Sequence, residues 1–157
     1  MSSRQERKVV RGARPFLEEG EEVLAAIIAR PRGWTQSMAG SLSVGAAQQS
    51  RAYGAAEKAE FRLTSPMALA ITYRRLLCLE IGSPIGLGIG GEVKGLVSSA
   101  PVADVDSIEV KRLPLGKRIT ITVRGVPIAL EANALADASG VSDAFNRAKA
   151  TARLMST

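Results

Sequence analysis

The stretch MALAITYRRLLCLEI, Met67 to Ile81, contains two apolar runs separated by a short polar link. Each run has the length of a β-strand, and the link Thr72–Arg75 has the length of a hairpin connection. Arginines at such a corner can lay their methylenes on the rim of the core while the guanidinium reaches water. We therefore predict a hairpin corner, in preference to a phosphate-binding or catalytic role for the two arginines.

Other short apolar segments extend this pattern along the chain. EVLAAIIARPRG predicts a buried strand, although Ala25 and Ala26 leave a helix open. From Glu60 onward the strand-like segments are EFRLT, MALAI, LLCLEI, DSIEVKRL, RITITVRG and VPIALEA. RITITVR alternates apolar and polar residues, as a strand with one dry and one wet face does. Short connections between such segments predict an antiparallel sheet or barrel rather than βαβ units.

The C-terminal segment changes from strand to helix periodicity. Val141, Phe145, Ala148, Ala152 and Met155 recur at steps of four and three, which places them on one stripe of a helix. Two serines near the start of this segment are candidate caps, and the sequence does not choose between them. The pattern is therefore a series of strands followed by one amphipathic helix.

Composition limits the class of protein. The 157 residues suit one domain with its own core, and 46% of them are hydrophobic. Histidine is absent, which removes the commonest general base and metal ligand and lowers the expectation of an enzyme. Cys78 lies within an apolar run, which favours a buried thiol in a cytoplasmic protein. We expect no cofactor, no metal, no leader peptide and no membrane-spanning segment.

The formal net charge of +6 is concentrated at the N-terminus. Residues 1–14 hold five basic residues against Glu6, a net charge of +4. We predict residues 1–15 as a basic N-terminal tail and residues 16–157 as a single domain. Within that domain, the Ala-, Gly- and Ser-rich segment 34–59 stays open between a strand pair, a loosely packed helix and a mobile loop. The residues of the tail that are candidates for binding a membrane or a partner are Arg4, Arg7, Lys8, Arg11 and Arg14.

Two motifs that resemble enzyme sites are interpreted as structural. Gly86–Gly91 fits G-x-G-x-x-G, but the segment that follows is short, is broken by glycine and proline, and leads into antiparallel strands rather than a helix. Asp104 and Asp106 share one face of a strand, and without a partner cluster we expect them to be solvated. We therefore predict no catalytic residues; an enzyme or nucleotide binder that uses the Gly86–Gly91 loop is the alternative.

LAITYRRLLCLEI resembles a hairpin of bacterial pleckstrin-homology-like domains, which are similar to GRAM domains. That hairpin has a threonine before the turn, here Thr72, and an arginine that opens the next strand, here Arg75. PVADVDSIEVKR and RITITVRGVPIALEA are similar to the strand and the hairpin that precede the closing helix of the family. The resemblance implies a mainly β (α+β) fold: a small, bent antiparallel sheet or partly open barrel of about seven strands, closed by a C-terminal α-helix.

The resemblance also implies binding rather than catalysis. Eukaryotic relatives of the family often hold phosphoinositide headgroups with basic residues in the first strand loop, which corresponds here to Arg30 and Arg32. A second candidate anion-binding cluster flanks the predicted turn LPLG and consists of Lys111, Arg112, Lys117 and Arg118.

We expect a cytoplasmic, non-catalytic module that binds a protein partner or an anionic surface. Peripheral attachment to the inner face of the membrane is one location consistent with that function. A homo-oligomeric interaction subunit is the alternative within binding proteins. Aromatic residues make up only 4% of the chain, so stacking platforms are scarce and nucleic-acid binding is not expected.

Overall fold

The computed structural model describes residues 4–33, 40, 42–82, 91–114, 116–133 and 136–155, apart from the side chains of Gln5 and Met155. The α-helices are α1 (Arg4–Ala13), α2 (Leu42–Lys58) and α3 (Ala138–Met155), and short 3-10 helices span Arg14–Phe16 and Val102–Asp104. The strands are β1 (Ala25–Pro31), β2 (Met67–Ile71), β3 (Arg75–Ile81), β4 (Val93–Pro101), β5 (Val105–Leu113), β6 (Gly116–Val123) and β7 (Val126–Ala132). The strands form one antiparallel sheet in the order β4-β3-β2-β1-β7-β6-β5, so the predicted fold class is confirmed.

β1 joins the two halves of the sheet because its partner changes along its length. Ala25 to Ala29 pair with β2, whereas Arg30 and Pro31 pair with β7. One half therefore consists of β1 to β4, and the other of β5 to β7. The main core contains apolar residues from both halves, including Ile27, Leu69, Leu76, Ile121, Ile128 and Leu130, all fully buried.

α3 covers this core, as its apolar stripe predicted. Val141, Phe145 and Ala148 are buried in the main core cluster. The cap is Asp137 rather than either candidate serine, because Asp137 Oδ1 accepts a hydrogen bond from Gly140 N at 3.0 Å.

A lysine of α3 ties the helix to the start of β5. Lys149 Nζ donates to the carbonyl oxygens of Val102 and Val105 at 2.9 and 2.6 Å. These carbonyls lie where the chain turns from β4 into β5, so the lysine closes the corner that the helix covers.

Residues 4–13, which we expected as part of a basic tail, form α1 and pack on the outer face of the sheet. Val9 and Ala13 are fully buried in a second apolar cluster that contains Leu77 and Leu79 of β3. The helix approaches β4 closely, since a Cβ atom added at Gly12 would lie 2.8 Å from Val93 Cγ2. The predicted basic tail is thus a helix packed on the sheet, because the segment has an apolar side that the sheet can bury.

α1 explains why β2 reads as a continuous apolar run. Met67, Leu69 and Ile71 belong to the main core, whereas Ala68 and Ala70 lie in the cluster beneath α1. All five residues are buried. A strand covered on both faces loses the alternation that a strand with one wet face shows.

Two sequence-based assignments differ from the structure. EFRLT is not a strand, although Phe61 and Leu63 are buried in the main core as the alternation suggested. β4 was not predicted, because it contains Gly95 and Pro101, which are uncommon inside strands. Of the three alternatives for segment 34–59, the described residues 42–58 adopt the helix. Residues 34–39 and 41 lie outside the described part of the chain.

Phe145→Ala should lower the free energy of unfolding by about 3–5 kcal/mol, because it opens a cavity between α3 and the sheet. Denaturant unfolding measures this change. Asn146→Ala, at an exposed neighbouring position, is the matched control and should cost far less. Equal and small effects of the two substitutions would show that the stripe does not cover the core.

Candidate functional site

The corner between β2 and β3 is organised by one hydroxyl group. The amides of Arg74 and Arg75 both donate to Thr72 Oγ1 at 3.1 Å, and Thr72 N donates to Arg75 O at 3.0 Å. The hydroxyl donates its own hydrogen to Glu21 Oε2 at 2.8 Å. The hairpin corner predicted from the sequence is confirmed, and it has a partner, Glu21, that the sequence analysis did not identify.

Arg75 and Glu21 form a bidentate ion pair at this corner. Arg75 Nε donates to Glu21 Oε2 at 3.0 Å and Nη2 donates to Oε1 at 2.9 Å. Arg75 Nη2 also donates to the carbonyl of Phe16 at 2.8 Å. The Glu21 side chain is 1% exposed and that of Arg75 is 16% exposed. Arg75 therefore turns inward rather than toward water, whereas Arg74 extends to the surface as expected and pairs with the exposed Glu18.

The ion pair keeps Glu21 ionised. Burial acts to raise the pKa of Glu21, but hydrogen bonds from Arg75, the Glu18 amide and Thr72 outweigh it and lower the pKa from 4.5 to about 2. The hydrogen bond with Glu21 raises the pKa of Arg75 in turn. Removing one member of such a pair leaves the other without its counter-charge, so we assign the corner a structural rather than a ligand-binding role.

α1 arranges the basic residues of the N-terminus into an ordered surface. Arg4, Arg7, Arg11 and Arg14 are exposed, and their spacing of three, four and three places them along one side of the helix and the 3-10 helix that follows. We call these four residues the arginine ridge; at 1.5 Å per residue it is about 15 Å long. Lys8 is not counted as part of the ridge, because Lys8 Nζ donates to Glu92 Oε1 at 3.0 Å.

The arginine ridge is held in place at both ends. Near its start, the buried Glu6 accepts a hydrogen bond from Asp137 N at 3.3 Å, which connects α1 to the cap of α3. Near its end, the carbonyl of Phe16 accepts the hydrogen bond from Arg75 described above. The guanidinium groups thus project from a helix with a defined position on the sheet.

The second basic cluster lies on the β5–β6 hairpin, as predicted. Lys111 pairs with Arg118, and Arg112 pairs with Lys117. Because successive residues of a strand point to opposite faces, the two pairs lie on opposite faces of the hairpin. Lys117 Nζ donates to the carbonyl of Ala136 at 2.6 Å, so this lysine has a structural contact. The four cations do not form one patch.

Arg30 joins one of these pairs in a row across the sheet. Arg30 lies opposite Glu131, Glu131 opposite Arg118, and Arg118 opposite Lys111. Burial lowers the pKa of Arg30. Arg118 Nε is buried without a hydrogen-bond partner. A carboxylate within the row offsets its positive charge and stabilises the strand pairing.

Arg32 lies elsewhere, in a cleft of about 250 Å³ between the end of β1, α2 and β7. The residues that line this cleft are Arg32, Gln48, Arg51, Ala52, Ala55, Pro127 and Ala129. The structure therefore separates Arg30 from Arg32, which the sequence analysis placed in one site. Sequence spacing alone did not indicate Gln48 and Arg51, because the segment that contains them had no clear period.

The glycine-rich loop does not lead into a helix. Gly86–Gly90 lie outside the described residues, but the strands on either side of the loop are described. Gly82 N donates to Glu92 O and Gly91 N donates to Gly82 O, both at 2.9 Å, and β4 follows. A dinucleotide fingerprint requires a helix at this point.

The two aspartates hold a turn. Asp104 Oδ2 accepts a hydrogen bond from Arg124 Nη2 at 3.1 Å, and Asp106 Oδ2 accepts one from Gly125 N at 2.7 Å. Arg124 and Gly125 form the β6–β7 turn, where both have positive φ angles of 49° and 80°. Both carboxylates are exposed to solvent to a large extent, as expected, and these contacts give them a structural role in addition.

Two further features of the described residues bear on reactive or metal-binding chemistry. Cys78 is fully buried, as predicted, and burial raises the pKa of its thiol to about 12. Within the described ranges, no three His, Cys, Asp or Glu residues are grouped in a way that suits a metal ion. Of the helices described, none is long and apolar enough to cross a membrane.

Neither a protein-family model nor a curated protein sequence matches the chain. Among solved structures, the chain is similar to a DUF1696 family protein with a pleckstrin-homology domain from Shewanella loihica PV-4, at 12% identity and a TM-score of 0.46 over 91% of this chain and 95% of that one. It is also similar to a pleckstrin homology domain from Shewanella amazonensis SB2B, at 14% identity and a TM-score of 0.48 over 95% of this chain and 91% of that one.

The fold class follows from the architecture of the chain itself. It is a seven-stranded antiparallel sheet with a C-terminal helix packed on its core, the mainly β architecture that the sequence predicts. Membership of the pleckstrin-homology-like family and the relation to GRAM domains stay predictions.

Glu21→Gln should remove an acid-dependent component of stability. Because the pKa of Glu21 is about 2 in the folded protein and 4.5 is its ordinary value, its contribution is complete above about pH 4.5 and is lost as the pH falls toward 2. The parent should lose on the order of 2–3 kcal/mol more than the variant across this window. Urea unfolding at a series of pH values measures the difference.

Glu22→Gln, which alters an exposed neighbour, is the control and should keep the acid dependence of the parent. If Glu21→Gln and the parent show the same dependence, Glu21 is not held ionised by the corner.

Proposed function

We propose that the protein is a non-catalytic, pleckstrin-homology-like binding module that attaches peripherally to an anionic membrane surface through the arginine ridge. The observation that carries the proposal is the exposure of Arg4, Arg7, Arg11 and Arg14 along one side of a helix whose opposite side is buried. A helix fixed in this way presents its charges together, without the entropy cost of ordering a mobile arm.

The chemistry of the ridge favours a membrane over a protein surface. Protein interfaces usually have an apolar centre surrounded by polar contacts. The exposed large apolar side chains of the described residues all lie on other elements: Leu42, Val44, Tyr53, Tyr73, Leu96, Val110 and Leu154. Attraction to anionic lipid needs no such centre and contributes about 1 kcal/mol per basic residue near the surface.

The other functional expectations stay predictions. A protein partner, a homo-oligomer and a cytoplasmic location have no specific contact in the described residues that favours them over the ridge. Catalysis by the glycine-rich loop has less support, because β4 rather than a helix follows that loop.

Replacing all four ridge arginines by glutamine should weaken binding to vesicles rich in phosphatidylglycerol by about 10²–10³-fold at low salt. Cosedimentation measures the bound fraction, and circular dichroism verifies that the variant keeps its helices. Binding of the parent should fall steeply with added salt, because the Debye length shrinks from about 10 Å at 0.1 M to about 3 Å at 1 M.

The control removes the same charge from exposed positions on other elements, through Lys58→Gln, Lys94→Gln, Arg112→Gln and Arg147→Gln. This control should retain most of the binding of the parent. Equal losses in the two variants would show that net charge rather than the ridge is responsible. Absence of vesicle binding at low salt would also contradict the proposal and would leave the protein partner as the better hypothesis.

A further inference from the structure

The second half of β5 is an open edge of the sheet. β5 is the last strand in the sheet order, and in the described part of the chain it pairs with β6 alone. α3 covers the start of this edge, where Lys149 Nζ donates to Val105 O at 2.6 Å and Ser142 Oγ donates to Ile108 O at 3.3 Å. The next four residues, 109–112, are all exposed. The side chains of α3 thus close the first half of the edge and leave the second half open.

One contact of α3 shows which main-chain groups face the open edge. Ile108 O accepts a hydrogen bond from α3 and therefore points away from β6. In an antiparallel pair, alternate residues direct their N–H and C=O groups to the same side of the strand. Val110 and Arg112 therefore present theirs to the edge, while Glu109 and Lys111 direct theirs to β6. Main-chain groups that are exposed in this way form a template for another strand.

Opposite charges lie on either side of Val110 on this edge. Glu109 and Lys111 are exposed, and within the described ranges neither has an ion-pair partner. Lys111 lies opposite Arg118 of β6 instead, and like charges directly opposite each other destabilise strand pairing. Val110 itself is 36% exposed. The edge therefore combines an apolar centre with two charges of opposite sign that lack a counter-charge on the open side.

We propose that two copies of this chain pair through the open edge of β5, in antiparallel orientation, with Val110 of each copy opposite Val110 of the other. The central residues then exchange two main-chain hydrogen bonds. In this register Glu109 of each copy faces Lys111 of the other, and the two-fold symmetry of the pair forms both ion pairs at once. Each lysine that faces Arg118 thereby gains a carboxylate on its other side.

Charge selects this register over its neighbours. A register centred one residue earlier places Glu109 opposite Glu109 of the second copy, and one centred a residue later places Lys111 opposite Lys111. Both put like charges directly opposite each other. The same charges disfavour pairing with an uncharged strand, because an exposed lysine on an edge opposes such pairing. The edge therefore fits a second copy of this chain better than a strand without matching charges.

The dimer is weak, and it leaves the arginine ridge uncovered. The paired segment is short because Ile108 O is already occupied, so we expect a dissociation constant between about 1 µM and 1 mM. α1 packs on β3, in the other half of the sheet from β5. The dimer thus carries two ridges, and its formation and the attachment to a membrane succeed or fail independently.

Opposite charge reversals test the register. Glu109→Lys gives the edge two positive charges and Lys111→Glu gives it two negative charges, so each variant alone should dimerise at least about tenfold more weakly than the parent. An equimolar mixture restores both ion pairs between unlike copies and should associate about as tightly as the parent. Sedimentation velocity over a concentration series measures the association of the full chain in each case.

Val110→Pro tests the main-chain pairing. It removes an N–H group that faces the open edge and none that bonds to β6, so the fold should persist while the dimer is lost. Val110→Thr keeps both the N–H group and the β-branched shape and is the matched control, which should dimerise like the parent. Circular dichroism verifies the fold, and the mixing experiment does not depend on this variant.

Three results would overturn the proposal. The first is a parent chain that stays monomeric up to about 1 mM. The second is a mixture of the two charge variants that associates no more tightly than either variant alone. The third is a dimer that persists in folded Val110→Pro, because the interface would then lie elsewhere on the molecule.

Discussion

The contact of Glu21 with Thr72 and Arg75 is the constraint on which the position of the N-terminal region depends. Without it, the segment between α1 and β1 has a charged glutamate buried at 1% exposure and no counter-charge. With it, one carboxylate connects that segment to the β2–β3 corner, and Arg75 adds a hydrogen bond to the carbonyl of Phe16. The corner therefore fixes where the chain leaves α1 and enters the sheet.

That attachment has a consequence for binding. α1 covers the outer face of β2 and β3, and its buried side orients its exposed side. The arginine ridge is thus a product of the same packing that completes the sheet. A different contact, the approach of Gly33 to Gly45, places α2 against the end of β1.

Much of the fold was predictable because alternation and turn spacing report burial directly. β6 and α3 were clear for this reason, and so was the corner at Thr72. The strand count of about seven agreed with the structure partly because two errors cancelled: EFRLT was counted and β4 was missed. Local patterns show that Phe61 is buried, but strand pairing is a property of the neighbours, which a single sequence does not display.

The candidate sites were less predictable, because each depends on contacts between segments that are distant in the sequence. The fully apolar runs of β2 and β3 indicated that both faces of these strands are buried. The structure shows that α1 covers the outer face. Arg30 and Arg32 are neighbours in sequence but enter different surroundings, because β1 ends between them. The EEGEE segment, residues 18–22, contains the partner of Arg75, yet only the folded chain shows which glutamate it is.

The most direct test of the account is a double-mutant cycle between Glu21→Gln and Arg75→Met, measured by denaturant unfolding at neutral pH. The structure predicts a coupling energy of about 2–3 kcal/mol, and additive effects of the two substitutions would contradict it.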